Sequence, residues 1–146
     1  MTPERAQEYS QELQSGKLNL FVIHIAEGKR NDPEAQSEFG LLKNAQLLTA
    51  KTVVVHGIGL STADFADMSK IGASLVWSPR SNVTLYGETT DIVTAVQKGV
   101  TVALAPDWSP TGSTCQLEGP KTDLGRGQRS TDRPLVQTPL HGRSRA

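Results

Sequence analysis

The sequence has little of what marks a disulfide-bonded, membrane-spanning or polyanion-binding protein. Its single cysteine, Cys115, rules out an internal disulfide and favours a reducing, cytoplasmic environment. No apolar run approaches the roughly 20 residues that a membrane helix needs, and no secretory leader opens the chain, so we expect a soluble protein. Fifteen basic residues balance fifteen acidic ones, so the overall charge predicts neither a nucleic acid nor a membrane as partner.

Aromatic residues make up only 5% of the 146 residues, whereas aliphatic residues are frequent as far as residue 105. The length suits one ordinary domain, which we place in residues 1–113. Beyond Ser113 the sequence is polar, basic and rich in glycine and proline, with no hydrophobic period, so residues 114–146 are predicted to be disordered. We interpret them as a non-native, frame-shifted tail rather than a partner-binding extension, because they contain neither repeats nor a recognisable linear motif.

Short apolar runs alternate with helix-like segments along the first 105 residues. Strands are predicted at Leu18–Ile25, Thr52–His56, Ala73–Trp77 and Val100–Ala105. Capping residues, prolines and glycines predict helices from Thr2, from Asp32, from Ser61 to Gly72 and over Thr89–Lys98. The segment Ser78–Asn82 has the composition of a turn. This alternation is typical of consecutive βα units and predicts an α/β fold with a parallel sheet.

The first predicted strand is apolar on both faces. Alternation places Leu20, Val22, His24 and Ala26 on one face, and Phe21, Ile23 and Ile25 on the other. Apolar residues on both faces are typical of a strand covered on two sides, as in a parallel sheet or barrel.

Side chains that can bind a metal or move a proton lie at or just after the carboxyl ends of three predicted strands. They are His24, His56 and Asp107. Right-handed crossovers bring the carboxyl ends of parallel strands to one side of the sheet, so we expect these residues to converge. Imidazoles and carboxylates are common ligands of zinc and iron. Each residue considered alone could also have a purely structural role, the histidines as hydrogen-bonded core residues and Asp107 as a turn residue.

Glu27, Ser81 and Asn82 are further candidates for the same site as His56. Glu27, just past His24, is either a solvated loop acid or a group that moves protons. Alternation puts His56 on the same face as Val54, where it would bind a metal, a substrate carbonyl or the attacking water. Ser81 and Asn82 are either turn residues or donors to a substrate.

The segments HIAEG, VVVHGIGLSTADFADMSKIGASLVWSPRSNVTLYGETTDI and GVTVALAPDWSPTGS together resemble the second half of a metal-dependent amidohydrolase. The branch is the one that contains cytosine deaminases, chlorohydrolases and S-adenosylhomocysteine deaminase-like enzymes. The resemblance implies a partial (β/α)8 TIM barrel of about four βα units, strands five to eight. It also implies hydrolysis of a C–N bond, of the deaminase or chlorohydrolase type, by a metal-activated water.

The resemblance implies a role for each candidate residue. His24 is then the fifth-strand metal ligand, and Glu27 is the catalytic proton shuttle. His56 contacts the metal or polarises the substrate, and Asp107 binds the metal and takes a proton from the water. Ser81 and Asn82 lie in a stretch like the family's Pro-x-Ser-Asn segment beside the substrate pocket. The implied cofactor is a divalent metal, zinc or iron. The implied substrate is a small nitrogen-containing molecule such as a heterocyclic amine, and the intact family includes homo-oligomers.

The sequence also departs from the family pattern. It contains no His-x-His pair, which the family places on its first strand, and it offers no counterpart of strands one to four. A complete barrel takes about 250 residues. We therefore expect a fragment that is inactive alone. Two alternatives remain: a non-catalytic α/β binding or regulatory fragment that pairs with another chain through its sheet edge, and a small enzyme that uses Glu27 and His56 without metal.

Overall fold

The computed structural model describes residues 1–115. The predicted tail at residues 114–146 falls almost wholly outside the described residues, so its disorder and its frame-shifted origin stay predictions. The boundary between a folded part at residues 1–113 and that tail stays a prediction for the same reason.

Nine elements follow one another in the described part of the chain, and its four strands form a single parallel sheet in the order β1-β2-β3-β4. This arrangement confirms the predicted α/β class. The elements are α1 (Pro3–Ser15), β1 (Phe21–Ile25), α2 (Pro33–Asn44), β2 (Thr52–His56), α3 (Thr62–Ile71), β3 (Ser74–Trp77), α4 (Pro79–Tyr86), α5 (Ile92–Gln97) and β4 (Thr101–Leu104).

The first three helices begin where the capping residues predict. The Thr2 side chain accepts a hydrogen bond from a backbone N–H of the first turn of α1, and Asp32 does the same for α2. Ser61 and Asp64 form a reciprocal capping box at the start of α3, and Gly72 ends that helix at φ +86°. These local contacts satisfy N–H groups that the helix itself leaves free.

The prediction of a turn at Ser78–Asn82 is wrong, because α4 begins at Pro79 and runs to Tyr86. Proline is favoured at the first helical position, since its φ is already helical and its missing N–H is not needed there. The helix buries Ser81 and Asn82 against the rest of the fold, and this tertiary burial outweighs their preference for turns. Four other elements are shorter than predicted: β1 starts at Phe21, β3 starts at Ser74, α5 spans Ile92–Gln97, and β4 spans Thr101–Leu104.

The core lies between the helices and one face of the sheet. Its largest fully buried apolar side chains, each at 0–1% exposure, are Phe39, Leu47, Ile58, Phe65, Met68 and Leu75. Burial of one such side chain contributes about 1.5–3 kcal/mol relative to its exposed state.

The opposite face of the sheet is open at its two edge strands, which corrects the expectation that β1 is buried on both sides. Val22 in β1 is 53% exposed, Leu20 just before it is 57% exposed, and Thr101 and Ala103 in β4 are also exposed. Val55 in the central strand β2 lies on the same face and is only 6% exposed. Four strands are too few to close on themselves, so the edge strands lack a partner on this side among the described residues.

No helix within residues 1–115 combines the length and the apolar character needed to cross a membrane.

Candidate metal centre

His24 and His56 meet at the carboxyl end of the sheet. They come from neighbouring strands, since His24 pairs with Val55 in the parallel ladder. His24 Nδ1 lies 3.1 Å from His56 Nε2, and the ring centroids are 4.9 Å apart in an edge-to-face arrangement. The His24 side chain is 55% exposed and that of His56 is 1% exposed. The site therefore has one buried and one open imidazole.

The prediction that His56 shares a face with Val54 is wrong. The ladder pairs Ile23 with Val54 and His24 with Val55, so regular alternation would turn His56 towards the helices. His56 instead has φ +70°, a left-handed conformation that breaks the alternation and lets its ring reach His24. For a non-glycine residue this conformation costs about 1–2 kcal/mol, and such strain is concentrated at functional sites.

Two other non-glycine residues with positive φ lie at the same rim. Ala26 has φ +51° directly after β1, and Asp107 has φ +63° after β4. Specific hydrogen bonds support the two strand ends at β1 and β2. The Ala26 N–H donates to Glu38 Oε2 at 2.6 Å, and the Thr90 hydroxyl donates to the carbonyl oxygen of His56. The rim is thus held in a shape that regular strands would not adopt.

Two carboxylates complete the cluster around His56. Glu27 Oε2 lies 3.4 Å from His56 Nε2 and 3.9 Å from His24 Nδ1. Asp107 Oδ2 lies 3.8 Å from His56 Nε2. The structure therefore brings together all four residues predicted as ligands or proton carriers, from the ends of three strands.

The spacing of these atoms suits a divalent cation. Ligand atoms at about 2.0–2.1 Å from a tetrahedral zinc ion are about 3.3 Å apart. The donor atoms of His24, Glu27 and His56 are 3.1 Å, 3.4 Å and 3.9 Å apart and all lie within 4.8 Å of one another. Asp107 is outside this group of three and lies 3.8 Å from His56. Imidazole nitrogens with carboxylate oxygens form a donor set that zinc and iron accept.

The surroundings of Asp107 favour the ionised form of its carboxyl group. Burial by itself would raise the pKa of this carboxyl, but hydrogen bonds from the Ser81 hydroxyl and the Trp108 backbone, together with His56 and His24 nearby, outweigh that effect. The pKa of Asp107 is therefore below its usual range, and the group is a carboxylate at neutral pH.

Asn82 holds the His56 ring from the side opposite the cluster. Its Oδ1 lies 2.8 Å from His56 Nδ1, and its amide nitrogen donates to Thr90 Oγ1 at 3.1 Å. Asn82 and Ser81 are both at 0% exposure, and Ser81 is partnered with Asp107 and with Thr111. Both side chains make their hydrogen bonds to other residues of the protein. Their predicted contact with a substrate therefore stays a prediction.

Sequence reasoning missed Tyr86 and Thr90. Tyr86 ends α4, and its hydroxyl donates to Glu27 Oε1 at 3.3 Å. Burial and the charge of Glu27 raise the pKa of Tyr86, so the phenol stays protonated and can donate. This contact could not be predicted, because the sequence predicts a turn at residues 78–82. The helix α4, which begins at Pro79, is the element that places Tyr86 beside Glu27.

Comparisons with known proteins give several relatives. No family model matches the chain. A 5-methylthioadenosine/S-adenosylhomocysteine deaminase from Pyrococcus furiosus is 30% identical over 101 residues, which are 66% of this chain and 24% of the relative. A second protein of that description, from Teredinibacter turnerae, is 29% identical over 119 residues, 78% of this chain and 26% of the relative. The chain spans about a quarter of the length of the curated relatives it matches.

Solved structures share the fold. An adenosine deaminase from Xanthomonas campestris with bound zinc superposes with a TM-score of 0.73 at 16% identity, over 84% of this chain and 29% of that one. The atrazine chlorohydrolase TrzN from Arthrobacter aurescens, complexed with zinc, gives a TM-score of 0.67 at 12% identity, over 78% and 26%. At these identities the likeness concerns the fold, and it agrees with a parallel α/β part of a barrel.

Proposed function

Because the chain belongs to the amidohydrolase superfamily, we propose that it is part of a metal-dependent hydrolase of carbon–nitrogen bonds. His24, His56 and Asp107 are the proposed ligands of a divalent cation, with zinc as the first choice and iron as the second. Glu27 is the proposed proton carrier. The observation that carries the proposal is the cluster of His24, Glu27 and His56, whose donor atoms all lie within 4.8 Å of one another, with Asp107 Oδ2 3.8 Å from His56 Nε2.

Bound at this point, a divalent cation lowers the pKa of a water towards about 7 and so supplies a nucleophile at neutral pH. The protein residues orient and move protons around it. Asn82 holds His56 Nδ1, which leaves His56 Nε2 directed at the cluster. Tyr86 holds one oxygen of Glu27, so the other oxygen faces the histidines and can carry a proton between water and leaving group. Ionised Asp107 can accept the first proton.

The proposed substrate is a small nitrogen-containing molecule, and the deaminase relatives favour an amino-substituted heterocycle from which ammonia leaves. In this proposal Asn82 and Ser81 position His56 and Asp107, and their contact with the substrate stays a prediction. The single cysteine supports a cytoplasmic location as part of the proposal.

We expect the chain alone to have negligible turnover. The sequence contains no His-x-His pair, and the inner face of the sheet, which would form part of a pocket wall, lies partly open among the described residues. The second candidate function is a non-catalytic fragment that acts by pairing with another chain. The partly exposed inner face and the edges of the sheet, which have no further strand neighbour within residues 1–115, favour that alternative.

Zinc titration by calorimetry tests the proposed metal centre. We expect one equivalent of zinc to bind, and His24→Ala to weaken binding by about 100-fold or more, because an imidazole ligand is lost. The matched control is His141→Ala, which removes the remaining histidine of the sequence and should leave the affinity unchanged. Equal affinities of all three proteins, or loss of binding in the control alone, would overturn the metal assignment.

Activity is tested by adding a polypeptide that carries the missing strands of a related amidohydrolase. Ammonia release from amino-substituted purines that requires both polypeptides and zinc would support the hydrolase proposal. Release that needs His56 and Glu27 but persists in a chelator would instead favour the metal-free enzyme. Binding of the added polypeptide without turnover would favour the non-catalytic alternative.

A further inference from the structure

Thr90 is buried beside the candidate site, and its hydroxyl group contacts both the backbone of His56 and the side chain of Asn82. We propose that Thr90 is a positioning residue, which fixes the direction of the Asn82 amide and thereby places the proton of the neutral His56 ring on Nδ1. The lone pair of Nε2 is then directed at the cluster. The use of this lone pair by a cation rests on the proposed function, whereas the position of the proton does not.

The hydroxyl group of Thr90 can act on Asn82 in one way only. It has a single proton, which it donates to the carbonyl oxygen of His56, an atom that can only accept. The Thr90 oxygen is therefore an acceptor towards its other neighbour, the Asn82 amide nitrogen at 3.1 Å. The same amide nitrogen lies 3.4 Å from Thr89 Oγ1, so each proton of the NH2 group has an acceptor.

The reversed orientation of the Asn82 amide would leave buried groups without partners. With the amide turned by 180°, its oxygen would face the Thr90 oxygen, whose only proton is already donated to His56. Asn82 is 0% exposed and Thr90 is 3% exposed, so water is not available to replace the lost hydrogen bond. Buried polar groups that lack a partner are costly and rare, and the amide is therefore held in one direction.

The direction of the amide decides which ring nitrogen of His56 carries the proton. Asn82 Oδ1 lies 2.8 Å from His56 Nδ1, and a carbonyl oxygen accepts but does not donate. Nδ1 must therefore carry a proton, and the neutral ring has its lone pair on Nε2. The neutral imidazole of free histidine prefers the opposite arrangement, with the proton on Nε2. Two hydrogen bonds in series, from Asn82 to Thr90 and from His56 to Asn82, reverse that preference.

Thr90 also holds the backbone conformation that brings the His56 ring to the cluster. His56 has φ +70°, and the Thr90 hydroxyl donates to the carbonyl oxygen of this same residue, 34 positions earlier in the sequence. One hydroxyl group thus acts on His56 twice, directly on its backbone and through Asn82 on its ring. The left-handed backbone and the position of the ring proton therefore depend on the same side chain.

The segment that carries Thr90 is itself fixed by its neighbours. The Arg30 guanidinium donates to the carbonyl oxygen of Thr89 at 3.0 Å, and the Arg30 backbone N–H donates to Glu88 Oε1 at 2.7 Å. The indole N–H of Trp77 donates to Thr89 Oγ1 at 2.8 Å. These contacts come from the loop after β1 and from the end of β3. They hold the hydroxyl of Thr90 at a defined place relative to the strand ends.

Nitrogen-15 NMR of the full chain, in buffer with a chelator, tests the position of the proton. At about pH 9, where an ordinary imidazole is neutral, we expect His56 Nδ1 to be protonated and Nε2 to be bare. The variant His56→Gln identifies the signals by their loss. Nuclear Overhauser contacts should join the Asn82 NH2 protons to the Thr90 methyl group. A proton on Nε2, or the absence of these contacts, would overturn the proposal in the unchanged chain, without any variant.

Removal of the Thr90 hydroxyl tests whether it sets this arrangement. In Thr90→Val we expect molecules with the proton on Nε2 to appear, and zinc affinity to fall by about 10-fold, the lower end of the effects of groups that orient a ligand. Thr90→Ser keeps the hydroxyl and should behave as the unchanged chain. The matched control is Thr84→Val, at an exposed position of α4, which should alter neither measurement. An unaltered ring proton in Thr90→Val, or the same change in Thr84→Val, would overturn the proposal.

The two measurements separate the role of Thr90 from the proposed metal centre. A shift of the ring proton in Thr90→Val, in a chain that binds no zinc, would support the role of Thr90 and overturn only the metal centre. Equally tight zinc binding by the unchanged chain and Thr90→Val, with the proton on Nδ1 in both, would support the metal centre and overturn the role of Thr90. Helical circular dichroism of each variant verifies that it is folded.

Discussion

The Nδ1 atom of His56 lies 2.8 Å from Oδ1 of Asn82, so a residue of α4 determines how a strand-end histidine faces the other three members of the cluster. Both side chains are buried, at 1% and 0% exposure. When the amide oxygen accepts the Nδ1 proton, the lone pair of Nε2 is left for a cation. This contact links two residues that are 26 positions apart in the sequence, and it fixes the orientation of the His56 ring.

Replacing Asn82 should therefore weaken the metal centre without removing a ligand. We expect Asn82→Ala to reduce zinc affinity by about 10–100-fold, because ligand-orienting hydrogen bonds have effects of that size. Asn31→Ala, at an exposed position, is the matched control and should bind as tightly as the unchanged chain. Calorimetry measures both, and an unaltered affinity in Asn82→Ala would show that the His56 ring needs no such support.

Metal should stabilise the folded chain, and the choice of metal should be selective. At a free zinc concentration of about 100 times the dissociation constant, we expect the free energy of unfolding to rise by about 2.7 kcal/mol, and a chelator should reverse the change. Magnesium should have no effect at equal concentration, because it prefers an octahedral shell of oxygen ligands. Urea unfolding with each metal measures this, and equal stabilisation by magnesium would argue against imidazole ligands.

Gln46 offers a way to stabilise the protein away from the candidate site. It has φ +58°, where a side chain is strained and glycine is not. Gln46→Gly should raise the free energy of unfolding by about 0.5–1 kcal/mol, with the entropy of the unfolded glycine limiting the gain. Gln7→Gly, in the middle of α1, should lower it by about 1 kcal/mol. Destabilisation by both changes, seen in urea curves, would mean that the Gln46 side chain contributes more than its strain costs.

Asp91 should make the stability depend on pH. It caps α5, and hydrogen bonds from the Thr94 hydroxyl and then the Thr94 N–H hold the pKa of Asp91 below its ordinary value. A lowered folded pKa means that the stabilisation is present above the unfolded pKa of about 3.9 and is lost as the pH falls through the folded value. Asp91→Ala should cost about 1 kcal/mol at pH 7.

The difference between Asp91→Ala and the unchanged chain should therefore shrink as the pH is lowered from 5 to about 2. Asp91→Asn retains the capping oxygen without the charge, so its effect should vary little with pH. Chemical denaturation across that range gives the comparison. A constant difference for Asp91→Ala would contradict the assigned role of its charge.

The sequence by itself determined the kind of fold and the candidate residues. Caps at Thr2, Asp32 and Ser61 mark helix starts through contacts within one turn, and short apolar runs mark the strands, so both can be predicted from neighbouring residues. Parallel strands joined by right-handed crossovers then bring their carboxyl ends to one rim, which is why His24, His56 and Asp107 were predicted to converge.

Only the tertiary structure decided how that rim is built. The left-handed backbone at His56, the helix at Pro79–Tyr86 and the buried link from Asn82 to His56 all depend on contacts between residues distant in the sequence. Local alternation and turn preference predicted the opposite for two of them. Packing outweighs these preferences because each is worth about 1–2 kcal/mol, whereas burial of a helix face and satisfaction of its polar groups are worth several.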